Sequence, residues 1–153
     1  IAGGAFIGEH SYSTEKKPIA QGRPDSWDIK KAILFGNKIR RKLEKIDKIE
    51  DLTPIDVPGD YPYKERGKRS NDIAPVTDED GCVKCGECVK VCPVGAITVE
   101  DTVNTYSNMC TRCSACIKVC PVDARVWKNS KIREITDWLY RNYNSRKEPE
   151  TFI

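Results

Sequence analysis

Cys82-Val-Lys-Cys85-Gly-Glu-Cys88-Val-Lys-Val-Cys92-Pro93 is followed by Cys110-Thr-Arg-Cys113-Ser-Ala-Cys116-Ile-Lys-Val-Cys120-Pro121. Both runs read C-x2-C-x2-C-x3-C-P, so Cys82 recurs as Cys110, Cys85 as Cys113, Cys88 as Cys116 and Cys92 as Cys120. The neighbours recur too: Lys90-Val-Cys-Pro-Val94 returns as Lys118-Val-Cys-Pro-Val122. Repetition at every motif position marks an internal duplication and predicts two similar half-domains related by pseudo-symmetry. The runs use all 8 cysteines of the 153-residue chain, with none left over.

The spacing carries chemistry. Three cysteines at x2 intervals can wrap one face of a four-iron cube, and in two-cluster proteins with this run the fourth cysteine serves the other cluster. Cluster I is therefore expected to take Cys82, Cys85, Cys88 and Cys120, and cluster II to take Cys110, Cys113, Cys116 and Cys92. The crossing ties the halves together, which makes metal binding part of the folding energy. Pro93 and Pro121 stop the short helical turns before them. Val83, Val91, Ile97, Ile117 and Val119 are expected to shield the clusters from water. Lys84, Lys90, Arg112 and Lys118 lie among the cysteines and offset part of the cluster charge. Lys84 and Arg112 occupy the same repeat position and are both basic, so they give no order of reduction potentials. Zinc is the competing reading. Four-cysteine zinc sites pair two C-x2-C units roughly 15–20 residues apart, and they explain neither the third cysteine nor the prolines.

Length and composition allow one or two small domains of ordinary globular balance, with 32% charged and 39% hydrophobic residues. No apolar run is long enough to span a membrane. The apolar start, Ile1-Ala-Gly-Gly-Ala-Phe-Ile-Gly8, lacks the basic residues and length of a secretion signal. A reducing, cytoplasmic location is expected, where clustered cysteines favour metal over disulfides. The net charge of +3 is uneven: residues 1–75 hold 15 basic against 12 acidic residues, and residues 76–127 hold 5 against 7. Two oxidised clusters would add about four negative charges. The basic segments Lys38-Ile-Arg-Arg-Lys42 and Lys64-Glu-Arg-Gly-Lys-Arg69 read as a solvated helix face and a loop. No nucleic-acid-binding motif accompanies them, so neither nucleic acid nor membrane is an expected partner.

Outward from the cysteines, residues 47–75 carry Pro54, Pro58, Pro62 and Pro75 with Gly59 and Gly67, and read as an extended linker. Residues 2–8 read as one buried strand. Residues 26–46 read as a helix capped by Asp25 or Ser26, with an apolar stripe of Ile29, Ala32, Ile33, Gly36, Ile39, Leu43 and Ile46. Residues 130–143 read as a final helix, capped by Ser130, whose face holds Ile132, Ile135, Leu139 and Tyr143 beside Trp138. One strand and one helix cannot bury their own apolar faces. Residues 1–46 are therefore expected either to dock on the cysteine region or to belong with strands outside this sequence.

Residues 76–127 resemble a bacterial-type ferredoxin with two [4Fe–4S] clusters. Gly8-Glu-His-Ser-Tyr-Ser13, Ile19-Ala-Gln-Gly-Arg-Pro-Asp25 and Ala32-Ile-Leu-Phe-Gly36 are similar to the last strand and helix of a flavodoxin-like domain. Pro58-Gly-Asp-Tyr-Pro-Tyr63 and Ala74-Pro75 resemble the joint of flavodoxin–ferredoxin fusion proteins. The resemblance implies an α+β chain: a partial flavodoxin-like segment (1–46), a linker (47–75), a ferredoxin domain with a pseudo-twofold repeat (76–127), and a C-terminal helix and tail (128–153). It also implies FMN in the parent family. The phosphate loop and the flavin crevice of such a fold lie far from its last strand, so FMN is expected only in a longer parent protein and not on this chain.

The expected function is single-electron relay by two [4Fe–4S] clusters, with a redox protein or flavoprotein as partner. No catalytic residue is assigned. His10, the only histidine, has no nucleophile beside it and reads as a surface or loop-bonded residue. Trp27, Trp127 and Trp138 read as packing residues, Met109 as packing over a cluster, and Asp78-Glu-Asp80 as a solvated turn or a docking patch for a basic partner. The alternative is the electron-input module of a flavin-dependent reductase whose catalytic half lies upstream. A third reading is a structural or nucleic-acid module built on zinc or a redox-silent cluster.

Overall fold

Asp25 starts the longest helix, α1, Ser26–Leu43. Its Oδ1 accepts from the backbone N–H groups of Trp27 at 2.9 Å and Asp28 at 3.0 Å, and Asp28 Oδ2 accepts in return from Asp25 N at 2.8 Å. This reciprocal box satisfies donors that a helix start leaves unpaired. The helix stops three residues short of the expected end, because Lys45 and Ile46 donate to Lys42 and Leu43 in tighter i→i+3 bonds. The structure, a computed structural model, describes residues 1–65, 67 and 72–153. Arg66, Lys68 and Arg69 of the second basic segment lie outside the described residues.

The chain divides into two units, Ile1–Arg66 with Tyr140–Ile153, and Gly67–Leu139. In the first unit the expected buried strand over 2–8 is β1, Gly3–Ala5, three residues long and largely exposed. Its partner comes from the other end of the chain: β6, Glu150–Phe152, pairs antiparallel with it, Gly3 opposite Phe152 and Ala5 opposite Glu150. The tail expected after the last helix therefore carries a strand. Gly4 lets the two rings close over the strand, since a Cβ on it would stand 2.9 Å from Phe35 Cε1 and 3.0 Å from Phe6 Cε2 and would push them aside. Among the described residues of 47–75 there is neither an α-helix nor a strand. This Pro-rich stretch includes one 3-10 turn, Ile49–Asp51, and its Ile55 and Val57 side chains approach Gly3.

Charge holds the start of α1. Asp28 is fully buried and paired with the buried Arg23. Arg146 Nη1 reaches Asp25 Oδ2 at 2.6 Å, its Nε reaches Glu148 Oε1 at 2.6 Å, and Lys31 Nζ reaches Glu148 Oε2 at 2.7 Å. Arg146 pulls the Asp25 carboxyl well below the usual carboxylate range, Arg23 does the same for Asp28, and Lys31 and then Arg146 for Glu148. The expected apolar stripe is not packed throughout. Ala32 and Ile39 are half-buried, while Ile29, Ile33 and Leu43 are exposed. Trp27 is 53% exposed and lies 5.9 Å from Lys31 Nζ.

The second unit is built from short pieces. β2, Val76–Thr77, pairs antiparallel with β5, Arg125–Val126, and β3, Ile97–Val99, forms a hairpin with β4, Val103–Thr105. Between them come α2, Glu87–Lys90, and α3, Ala115–Lys118, each one helical turn. The core cluster is Cys88, Ile97, Val103 and Cys116, with Cys82, Cys92, Val99 and Ile117 against it. Half of these eight residues are cysteines. α4, Ser130–Tyr143, begins as its pattern predicts, but Asn129 rather than Ser130 caps it, its Oδ1 accepting from Lys131 N at 3.0 Å. Ile132 is buried, whereas Trp138 is 54% exposed. The whole is a small mixed helix-and-strand chain with short antiparallel pairs, compatible with α+β. No helix among the described residues is long and apolar enough to cross a membrane.

Candidate metal centre

The two cysteine runs share an unusual backbone. Lys84 and Arg112 have φ of 50° and 61°, Gly86 and Ser114 have 77° and 60°, and Gly95 and Asp123 have 61° and 52°. The members of each pair occupy equivalent places in the two halves of the repeat. Left-handed residues fold back a loop and gather its N–H groups on one side, a lining suited to anions. Two such groups already meet thiols: Ala96 N donates to Cys92 Sγ at 3.2 Å, and Arg112 N to Cys110 Sγ at 3.4 Å. Ser114 takes the left-handed position that glycine holds in the other run, and its Oγ accepts from Trp127 Nε1 at 3.0 Å.

Cys82, Cys85, Cys88 and Cys120 line one cavity, about 330 Å³ including its open mouth. Cys92, Cys110, Cys113 and Cys116 line another, about 320 Å³ measured the same way. The last cysteine of each run thus stands in the cavity of the other run. Within each set one thiol is buried (Cys88, Cys116) and one is exposed (Cys85, Cys113). Burial pushes the Cys88 and Cys116 thiols up, opposed at Cys116 by a hydrogen bond and the charge of Arg125. Thiolate ligation at these positions must displace protons, so metal uptake falls as pH falls.

The donor set fits a cluster better than a lone ion. A zinc ion needs four sulfurs at about 2.3 Å from one point. Among the described residues no three His, Cys, Asp or Glu side chains are placed to hold one ion. The thiols instead surround a space, as a cube bound at its corners requires. A second sign is Arg125, 2% exposed, whose buried Nε finds no acceptor among the described residues. A buried guanidinium calls for an anion.

The apolar shield is uneven. Ile97 is buried and Val91, Ile117 and Val119 are half-buried, while Val83 lines the cavity of Cys82, Cys85, Cys88 and Cys120 but is 61% exposed. Met109 is exposed. Trp127 is half-buried and lies just past β5. Asp78, Glu79 and Asp80 lie at a turn, where Glu79 Oε1 accepts from Val103 N at 3.3 Å. His10 is bonded into its own loop, its Nδ1 accepting from Tyr12 N at 3.1 Å. Arg125, buried beside the cavities, is the residue of this region that sequence reading did not single out. Its signal was available: it follows Ile97, a core position, by one repeat.

A family model described as a 4Fe-4S dicluster domain matches residues 81–124, a span that holds all eight cysteines. No curated protein matches the chain. The match and the cysteines together support at least one iron–sulfur cluster and an electron-transfer role for this region.

Proposed function

We propose that residues 76–127 form a bacterial-type, two-cluster ferredoxin domain that relays single electrons between redox partners. Cys82, Cys85, Cys88 and Cys120 hold one [4Fe–4S] cluster, and Cys92, Cys110, Cys113 and Cys116 hold the other. The observation that carries this reading is the pair of cavities, each walled by three cysteines of one run and the last of the other. When bound, each cluster supplies a one-electron site without proton transfer or a covalent intermediate. The chain's own part is to hold the thiolates, exclude water with Ile97, Val103 and Ile117, and leave Cys85 and Cys113 near the surface. The partner is a redox protein or flavoprotein, and the setting is cytoplasmic. Anaerobic purification with iron and sulfide analysis tests this. About eight irons and eight sulfides per chain, with an EPR signal after dithionite, uphold it; stoichiometric zinc overturns it.

The alternative is the electron-input module of an FMN-dependent reductase, with the flavin in a longer parent protein. The exposed Ile29, Ile33 and Leu43 on α1 favour it, because a helix in a flavodoxin-like layer would lay such residues on a sheet. A coding sequence upstream of Ile1 with a strand and a Gly/Ser/Thr-rich phosphate loop would support it, and one without them would remove the flavin.

A further inference from the structure

Arg125 breaks the repeat at a buried position. It and Ile97, its equivalent in the first half of the repeat, are 2% and 4% exposed. Ile97 lines the cavity of Cys92, Cys110, Cys113 and Cys116 with hydrocarbon, while Arg125 lines the other with a guanidinium. Packing alone does not call for arginine, since the equivalent place is filled by isoleucine. The acceptors around Arg125 are formally neutral. Nη1 donates to Thr77 Oγ1 at 2.6 Å, and Nη2 donates to Thr105 Oγ1 at 2.8 Å and Cys116 Sγ at 3.7 Å. Nε is buried without an acceptor among the described residues. None of these partners is a carboxylate, and a guanidinium does not shed its proton. A charge so placed is tolerable only beside an anion. Arg125 borders one cavity and bonds a cysteine of the other, so anions in both are within its field.

We infer that Arg125 is a buried counter-charge shared by both cluster sites, that it favours the reduced state of each, and that it acts most on the site holding Cys116. The inference rests on reading the two cavities as cluster sites. Reduction adds one electron from an external reductant and makes or breaks no bond. The added negative charge is stabilised by a fixed cation in a medium of low dielectric. At Cys116 an N–H···S bond adds to this by drawing density from the ligand. Lys84 and Arg112 put a basic residue at the same place in both runs, whereas Arg125 has no basic counterpart in the first half of the repeat.

The test uses the reconstituted holoprotein, iron and sulfide analysis, and an EPR-monitored redox titration, with Cys113→Ser marking the signal of the Cys116 site. In Arg125→Gln the reduction equilibrium at that site should move about tenfold toward the oxidised form, about 59 mV for one electron. The other site should move less, and Arg125→Lys should recover most of the change. The inference is overturned if both potentials in Arg125→Gln stay within roughly threefold of the parent. Should Arg125→Gln not retain its clusters, Arg125→Lys decides. Arg125→Lys with both clusters and near-parent potentials upholds the counter-charge. Arg125→Lys that loses the clusters, or that holds them with the full displacement, overturns it. A parent protein without clusters sinks the electron-transfer reading and takes this inference with it.

Discussion

The two units are held by different physics. Gly67–Leu139 has strands of two or three residues, one-turn helices around the cysteines, and a core half made of cysteines. Such pieces bury too little hydrocarbon to stand alone, so ligation must supply much of the missing free energy. The helix α1 and the chain around it rely instead on ion pairs among Arg23, Asp25, Asp28, Lys31, Arg146 and Glu148. One region should answer to metal, the other to pH. The same lesson separates Ile97 from Arg125: at one repeat position, hydrocarbon packs one half and charge serves the other.

The largest effect expected is from metal removal. Chelation at neutral pH should abolish amide-exchange protection across residues 72–127 while leaving protection in α1; protection surviving in both regions would erase the contrast. Replacing Cys116 with alanine should cost at least about four of about eight irons, read by metal analysis. Substituting Arg23 with leucine strands the buried Asp28 charge and should lower the thermal midpoint of α1 on the order of 10 °C, followed by residue-resolved NMR. Acidification should reach α1 next. In the folded state Asp25, Asp28 and Glu148 hold their protons less tightly than free carboxyls, their pKa values all being lowered, so their stabilisation is full above the ordinary carboxylate range and is lost as pH falls below about 4. A helix signal flat from pH 5 to about pH 2 would contradict this. The smallest effect is at the exposed Lys31–Glu148 pair, where Lys31→Ala should shift melting by no more than about a degree or two at physiological salt.

Much of the cysteine region is legible because ligation is written in local spacing. The doubled cysteine run, Pro93 and Pro121 are visible without any tertiary knowledge. The helices α1 and α4 are legible from their caps and stripes, with errors of a few residues at Leu43 and at the Asn129 cap. The pairing of β1 with β6 is not. It joins three residues at each end of the chain, and Gly3-Gly4-Ala5 carries almost no side-chain pattern. The exposed Trp27, Ile33 and Trp138 show a second limit: periodicity says which residues share a face, not what covers it. Arg125 was hidden because arginine in a short strand reads as surface. Alignment of the two halves against each other places it in the core.

The central claim is the exchange of last cysteines between the runs. Anomalous diffraction at the iron edge from crystals of the anaerobic holoprotein tests it most directly. Two four-iron sites are expected, one bounded by Cys82, Cys85, Cys88 and Cys120, the other by Cys92, Cys110, Cys113 and Cys116. A site bounded by Cys82, Cys85, Cys88 and Cys92, or a single metal ion at either place, would contradict it.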